Sequence, residues 1–342
     1  MNFMSDNVAG AAPEILAALT AASQGTAPSY GADEWTRRLT ARLSALFERE
    51  VAVFPVATGT AANALALAAL APPWGSIYCH AEAHIHADEC GAPEMYTGGA
   101  KLVPLDGIDG KLAPDTLSAA LERAPKGFVH AVQPAALSLT QATEAGTVYS
   151  PAEVAALSAI ASRHGLRVHM DGARFANAVA SLGCSPADVT WRAGVDVLSF
   201  GATKNGALGA EAVVFFDRDL SADFGYRRKR AAHLFSKMRF LSAQLEAYVT
   251  DGLWLHLAGH ANRMARRLAD GLSALPGAEP VHPVEANELF IALPEPVIAG
   301  LEAAGFGFYR WNGSVLRLVT AWNTEQAHVD ALVATAAKLS AG

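Results

Sequence analysis

Short apolar runs alternate with longer, helix-patterned stretches through the first two thirds of the chain. Val51–Val56 (VAVFPV), Ser76–Cys79 (SIYC), Lys101–Leu105 (KLVPL), Gly127–Val132 (GFVHAV), Leu166–Met170 and Val195–Phe200 (VDVLSF) each read as a strand. Runs of four to eight apolar residues bounded by Gly or polar residues fit buried strands. Between them the pattern predicts helices from about Ala12 to Ala22, through Phe47, from Gly59, over Pro114–Ala124 and over Pro151–His164. Strands alternating with helices make βαβ units and a parallel sheet. After Phe216 the texture changes. Helical sequence dominates from Ala231 to Ala274, and strands near 287–293, 306–311 and 314–320 with flanking helices predict a small α+β unit. The expectation is an α/β chain with a large domain and N-terminal arm over 1–235 and a small C-terminal domain over 236–342.

Within this pattern, Leu166–Phe216 reads as strand, turn, helix, strand, turn, strand. Its first strand ends at Asp171 and its second runs into Gly201–Gly206 (GATKNG), which carries Lys204. Both residues thus fall just past a strand's carboxyl end, the edge where open α/β sheets bind ligands. A lysine in a water-poor pocket loses its proton more readily and becomes a nucleophilic amine for Schiff-base chemistry. An aspartate facing a pyridinium nitrogen keeps that ring an electron sink. A lone Asp and a lone Lys are more often a helix cap and a surface turn residue. Here small neighbours (Gly201, Ala202, Gly206) and the hydroxyls of Ser199 and Thr203 leave room for a bulky group.

Composition narrows the partners. The 342 residues are 51% hydrophobic and 17% charged, enough for an ample core, and the net charge of −7 argues against a nucleic-acid-binding face. The one basic cluster, Tyr226–Arg230, reads as a solvated or interfacial face. Three cysteines (Cys79, Cys90, Cys184) without CxxC spacing suggest buried thiols in a reducing compartment. No run of 18 apolar residues and no signal-peptide pattern appear, so the cytoplasm is expected and a membrane is not.

Other residues carry weaker signals. Gly59-Thr60 opens a helix after a strand, where free amides receive phosphate, although most such termini bind nothing. His80, His84 and His86 lie close together with Asp88 near them. His84 and Asp88, at i and i+4, would share a helix face, but no HExxH is present, and no metal is expected. An imidazole stacked on an aromatic cofactor is the better use of one of them. Arg317 sits in an otherwise apolar strand, so it faces either an acid in a structural salt bridge or an anionic ligand.

The order of the segments resembles one family. Thr58–Thr60 (TGT), Glu82–His84 (EAH), His169–Ala178 (HMDGARFANA), Ser199–Gly206 (SFGATKNG), Met238–Phe240 (MRF) and Leu316–Trp322 (LRLVTAW) follow the series of the low-specificity threonine aldolases, in the β-eliminating-lyase group. The resemblance implies the pyridoxal phosphate (PLP) fold of type I, with a seven-stranded-type, mostly parallel sheet. It implies PLP on Lys204, Asp171 at its ring nitrogen and His84 stacked on the ring as the leading base. Gly59, Thr60 and Arg239 would hold the phosphate, with Thr203 and Arg174 also at the cofactor. Ser5, Arg174 and Arg317 would take the substrate carboxylate, Asp88 would orient His84, and Tyr30 would reach a neighbouring subunit's site. The implied reaction splits β-hydroxy-α-amino acids (L-threonine, L-allo-threonine, phenylserine) into glycine and an aldehyde. A β-eliminating lyase giving pyruvate and ammonia is the alternative. A homotetramer, a dimer of dimers, is expected. One departure stands out: where many members carry an ENTH-like segment with a histidine, this chain has Gln141–Gly146 (QATEAG), placing Thr143 at that histidine's position.

Overall fold

The computed structural model describes residues 1–341. A 3-10 turn at Asp6–Val8 leads into α1 (Pro13–Ala22) and α2 (Glu34–Leu46). Then come β1 (Ala52–Val56), α3 (Gly59–Leu70), β2 (Gly75–His80), the short α4 (His84–Ala87) and α5 (Ala92–Thr97), and β3 (Lys101–Leu105). They are followed by α6 (Pro114–Arg123), β4 (Gln133–Thr140), α7 (Pro151–Arg163), β5 (Arg167–Gly172), α8 (Phe175–Leu182), β6 (Val197–Gly201) and β7 (Glu211–Phe215). These seven strands form one sheet in the order β1-β7-β6-β5-β4-β2-β3. Only β7 is reversed: it pairs antiparallel with β1 and β6, and every other neighbouring pair is parallel.

Local chemistry explains where the helices start. Asp33 caps α2 by accepting from the Thr36 amide at 2.9 Å. Ser150 and Glu153 form a reciprocal capping box at α7, with Pro151 at the first helical position. Helix α3 is Ala- and Leu-rich and buried at nine of its twelve positions. Small side chains let it lie close on the sheet, with its N-terminus at the sheet's carboxyl edge.

The chain continues through α9 (Phe224–Arg230), α10 (Arg239–Val249), α11 (Leu253–Ser273), β8 (Glu279–Pro280), β9 (Glu288–Ala292), α12 (Glu295–Ala303), β10 (Tyr309–Asn312), β11 (Val315–Val319) and α13 (Gln326–Ser340). Strands β8–β11 form a separate antiparallel sheet in the order β10-β11-β9-β8. The large core gathers Phe47, Phe175, Phe200, Tyr248 and Trp254 among the helices behind the sheet. The small core runs from Met264 to Ala336 and takes in Phe3 from the N-terminus. Phe3 is pinned there by its amide on Gly307 O (2.7 Å) and by the Val319 amide on its own carbonyl (2.8 Å).

Two expectations shift. Gly127–Val132 is not a strand: Phe128 and Val129 are exposed, and β4 begins at Gln133. The Gln133 amide explains this, because it accepts from Gly127 N (2.8 Å) and donates to Ala131 O (2.9 Å), folding the preceding run into turns. The expected division at residue 235 also falls before α10, yet α10 and the first turns of α11, through Ala258, pack into the large core. The change of core occurs within α11, between Ala258 and Met264.

Candidate active site

The carboxyl ends of the parallel strands converge on one cleft of about 270 Å³. Asp171 closes β5, Lys204 follows β6 in the turn Thr203–Asn205, Gly59 and Thr60 follow β1, His84 follows β2 and Glu144 follows β4; all line the cleft.

The Asp171 carboxylate is fixed by two donors, Ala173 N at 2.9 Å and Asn63 Nδ2 at 2.7 Å. Asn63 sits one turn into α3 from Gly59, a buried polar residue in an otherwise apolar helix. Its same amide nitrogen donates to Glu89 Oε1 at 2.9 Å, and Glu89 Oε1 meets His84 Nδ1 at 2.9 Å. One continuous chain therefore links the Asp171 carboxyl to the His84 imidazole. The hydrogen bond to Glu89 holds the His84 pKa above its ordinary value, against the effect of burial and with help from Asp171. The expected partner of His84 was Asp88. The structure replaces it with Glu89, because α4 ends at Ala87 and leaves Asp88 exposed. The i, i+4 argument fails where the helix stops.

Lys204 is held by its turn. Ala202 N donates to Glu211 Oε2 (3.0 Å), Ala210 N donates to Thr203 Oγ1 (3.1 Å), and Asn205 Nδ2 donates to Tyr248 Oη (2.7 Å). A Cβ on Gly201 would sit 2.6 Å from Ala173 O, so only glycine lets the two turns approach this closely. The positive charge of Arg174, and then burial, hold the Lys204 amine below its ordinary pKa. That is the direction a nucleophilic amine requires.

The arginines are already partnered. Arg174 lines the cleft but forks onto Asp6, with Nε on Oδ2 at 2.7 Å and Nη2 on Oδ1 at 3.0 Å, and its Nη1 lies 3.4 Å from Glu288. Burial pushes the Asp6 pKa up, but the charges of Arg174 and Lys204 and the hydrogen bonds from Arg174 and Asn287 together outweigh it, and the net shift is downward. Arg317 pairs with Glu288 through Nε and stacks near Trp311 at 5.7 Å, and is not among the residues lining the cleft. Its salt-bridge reading is thus the geometry present. Ser5 caps the 3-10 turn, accepting from Asn7 N at 3.1 Å, and it is Asn7 that reaches the cleft wall. Arg239 begins α10 with its guanidinium over Phe240 and its Nη1 buried without a partner. Tyr30 is half-exposed beneath the Lys229 amine at 5.1 Å, away from this cleft.

His80 and His86 do not converge on His84. His80 Nδ1 accepts from Glu82 N, and His86 is exposed. No three His, Cys, Asp or Glu side chains gather in a metal-binding arrangement among the described residues.

Several cleft residues escaped sequence reasoning: Asn7, Asn63, Glu89, Glu144 and Glu211. A single Asn in an Ala/Leu helix was a usable signal for Asn63. Glu144 had only its place beside Thr143. Thr143 itself is buried with its hydroxyl on Thr147 Oγ1 (2.7 Å), outside the cleft wall. Glu144 Oε1 accepts from His84 N (2.8 Å) and Thr140 Oγ1 (2.9 Å). Burial, then the charge of Asp171, push the Glu144 carboxyl up to about 7.

The model of the beta-eliminating lyase family matches residues 2–295. A low specificity L-threonine aldolase of Pseudomonas aeruginosa is 48% identical over 325 residues, covering 94% of this chain and 93% of that protein. A second, from a Pseudomonas species, is 46% identical, covering 97% of this chain and 96% of that protein. A Leishmania major threonine aldolase structure superposes with a TM-score of 0.93 at 30% identity, covering 99% of each chain.

Proposed function

The chain belongs to the beta-eliminating lyase family, in its low-specificity L-threonine aldolase group, and from that membership we infer its reaction. It is a PLP-dependent carbon–carbon lyase that cleaves L-threonine, and with it L-allo-threonine and related β-hydroxy-α-amino acids, to glycine and an aldehyde.

The residues fit the cofactor. A Cβ added at Gly59 would meet nothing within 4 Å, so the space over the N-terminus of α3 is open for a phosphate. The first-turn amides of Gly59 and Thr60 have no intrahelical acceptor and suit an anion. The observation that carries the reading is Asp171, oriented by hydrogen bonds from Asn63 and Ala173, in the same cleft as an amine of lowered pKa, Lys204. Lys204 would attach the cofactor, Asp171 would face its ring nitrogen, His84 would cover the ring, and Thr203 and Arg239 would complete the pocket. Bound PLP supplies the electron sink for the pair released at Cα.

The chain's own residues do the rest. Arg174, with Arg317 and Ser5, receives the substrate carboxylate in competition with Asp6 and Glu288. Charge-assisted bonds of this kind fix one rotamer about the bonds to Cα. The bond between His84 and Glu89 raises the imidazole pKa and so favours His84 as a donor toward the substrate. Glu211 holds the backbone of Ala202 and so the approach of Lys204.

Purified protein should show the visible absorbance of a lysine-bound cofactor and release glycine and acetaldehyde in equal amounts from L-threonine. Pyruvate and ammonia from β-substituted amino acids, without glycine from threonine, would move the chemistry to elimination. We assign the working form as a cytoplasmic homotetramer in which Tyr30 reaches a neighbouring subunit's cleft. The half-exposed ring supports this, and full activity at monomer mass in light scattering would refute it. No helix among the described residues is long and apolar enough to cross a membrane.

A further inference from the structure

We propose that Glu144 is the catalytic base that takes the β-hydroxyl proton, through Oε2. The assignment rests on the aldolase reading and deepens it. Four observations support it. Glu144 lines the same cleft as Lys204 and Asp171. Its Oε1 is saturated by two donors on different elements, His84 N and Thr140 Oγ1, which fix the carboxyl's plane. Its Oε2 is shielded from solvent and has no hydrogen-bond partner, and an unpaired buried polar atom is costly to keep unless something fills it. Thr143, its neighbour in the chain, spends its hydroxyl on Thr147 and does not line the cleft.

His84 is poorly suited to the same task, because its Nδ1 is committed to Glu89 and that bond favours the charged imidazole. The groups facing the Glu144 carboxyl are Asp171 from β5, Arg174 from the turn beyond it, His84 from α4, Cys79 from β2 and Tyr149 from the loop after β4. Burial and Asp171 poise it near neutrality, where a general base works best.

The step balances. The substrate O–H bond breaks and its proton goes to Glu144 Oε2. The oxygen's electron pair becomes the second bond of the aldehyde carbonyl as the Cα–Cβ bond breaks. The Cα–Cβ pair stays with Cα, where a solvent-derived proton delivered from the Lys204 side completes glycine. Glu144 then releases its proton to water, so the proton lost at oxygen is matched by the one gained at carbon.

The test compares the holoenzyme with Glu144→Gln, which keeps an oxygen for the His84 and Thr140 donors but cannot hold the proton. Three readings are taken: kcat and KM for L-threonine, the visible absorbance of the bound cofactor, and solvent exchange of the glycine α-proton, a reaction with no β-hydroxyl. The expected result is a fall in threonine kcat of about 10²-fold or more, with KM, absorbance and glycine exchange little changed. The acid limb of the kcat profile near pH 7 should vanish. A parallel loss of cleavage and exchange would make Glu144 structural, and an unchanged kcat would remove it from the reaction. Thr140→Val is the second variant. It removes one donor to the charged carboxyl and should move the acid limb to higher pH; an unmoved limb in a folded protein would overturn the assignment. If the unaltered holoenzyme exchanges glycine but does not cleave threonine, the aldolase reading itself fails, and the base falls with it.

Discussion

At the scale of single residues the cleft is a set of charges whose neighbours decide their protonation. The Lys204 amine is lowered by Arg174 and burial, and Lys204→Ala should abolish both the visible cofactor absorbance and cleavage while far-ultraviolet circular dichroism stays native. Activity surviving in that variant would end the cofactor assignment. Asn63 serves two carboxylates with one nitrogen, Asp171 Oδ2 at 2.7 Å and Glu89 Oε1 at 2.9 Å. Asn63→Ala leaves both short of a donor in a buried setting. It should cost about 1–3 kcal/mol in urea denaturation and weaken cofactor retention on dialysis. Arg317 lies off the cleft wall and already pairs with Glu288. If it turns to the substrate carboxylate, Arg317→Ala raises KM far more than it weakens cofactor binding; unchanged kinetics would leave it a structural pair. The chemical types of these residues were readable from the chain, and so were the turns carrying Asp171 and Lys204. The connections among Asp171, Asn63, Glu89 and His84 were not, because they join four segments far apart in sequence.

At the scale of elements, α3 ties sheet to site. Its alanines let it pack close, and its first turn faces the cleft. Ala66 is fully buried. Ala66→Leu should therefore overpack the interface and cost about 1–3 kcal/mol by urea midpoint, with weaker cofactor retention as the N-terminus of the helix is displaced. A neutral outcome would mean the interface has slack the structure does not display. Helices with proline or acid-rich starts, such as α6 and α7, matched their expected spans closely, because their start signals are local. Two elements did not follow the local signal. The apolar run Gly127–Val132 became a turn held by Gln133, and α4 stopped after four residues, which moved the partner of His84 from Asp88 to Glu89.

For the whole molecule, the buried titratable groups set how stability depends on pH. Glu211 lies 7% exposed, and burial raises its carboxyl from an ordinary 4.5 to about 7. Between those values the folded chain keeps a proton that the unfolded chain releases, so stability falls as pH rises through that window. At about 1.4 kcal/mol per pH unit the loss reaches roughly 3 kcal/mol. His169, wedged between Ser138 and Ser199, acts in the opposite sense: burial lowers it from 6.5 to about 4, so stability rises with pH between those values. In cofactor-free protein, Glu211→Gln should gain on the unaltered chain as pH climbs from 4.5 to 7 in urea denaturation. A difference that does not change with pH would remove Glu211 as the cause.

The sequence by itself determined the alternation of strands and helices, the small C-terminal sheet, and the Asp and Lys at neighbouring strand ends. Each of these is a local pattern of apolar spacing and turn residues, and a parallel sheet brings its carboxyl edges together whatever the loops contain. Only the tertiary structure decided which side chains meet there. Packing gave Asp171 its amide from Asn63, gave His84 its acid in Glu89, closed Arg174 onto Asp6, and put the Glu144 carboxyl rather than the Thr143 hydroxyl at the cleft wall. Such pairings depend on the angle at which one element crosses another and on where a short helix ends, and no spacing within a single segment records either.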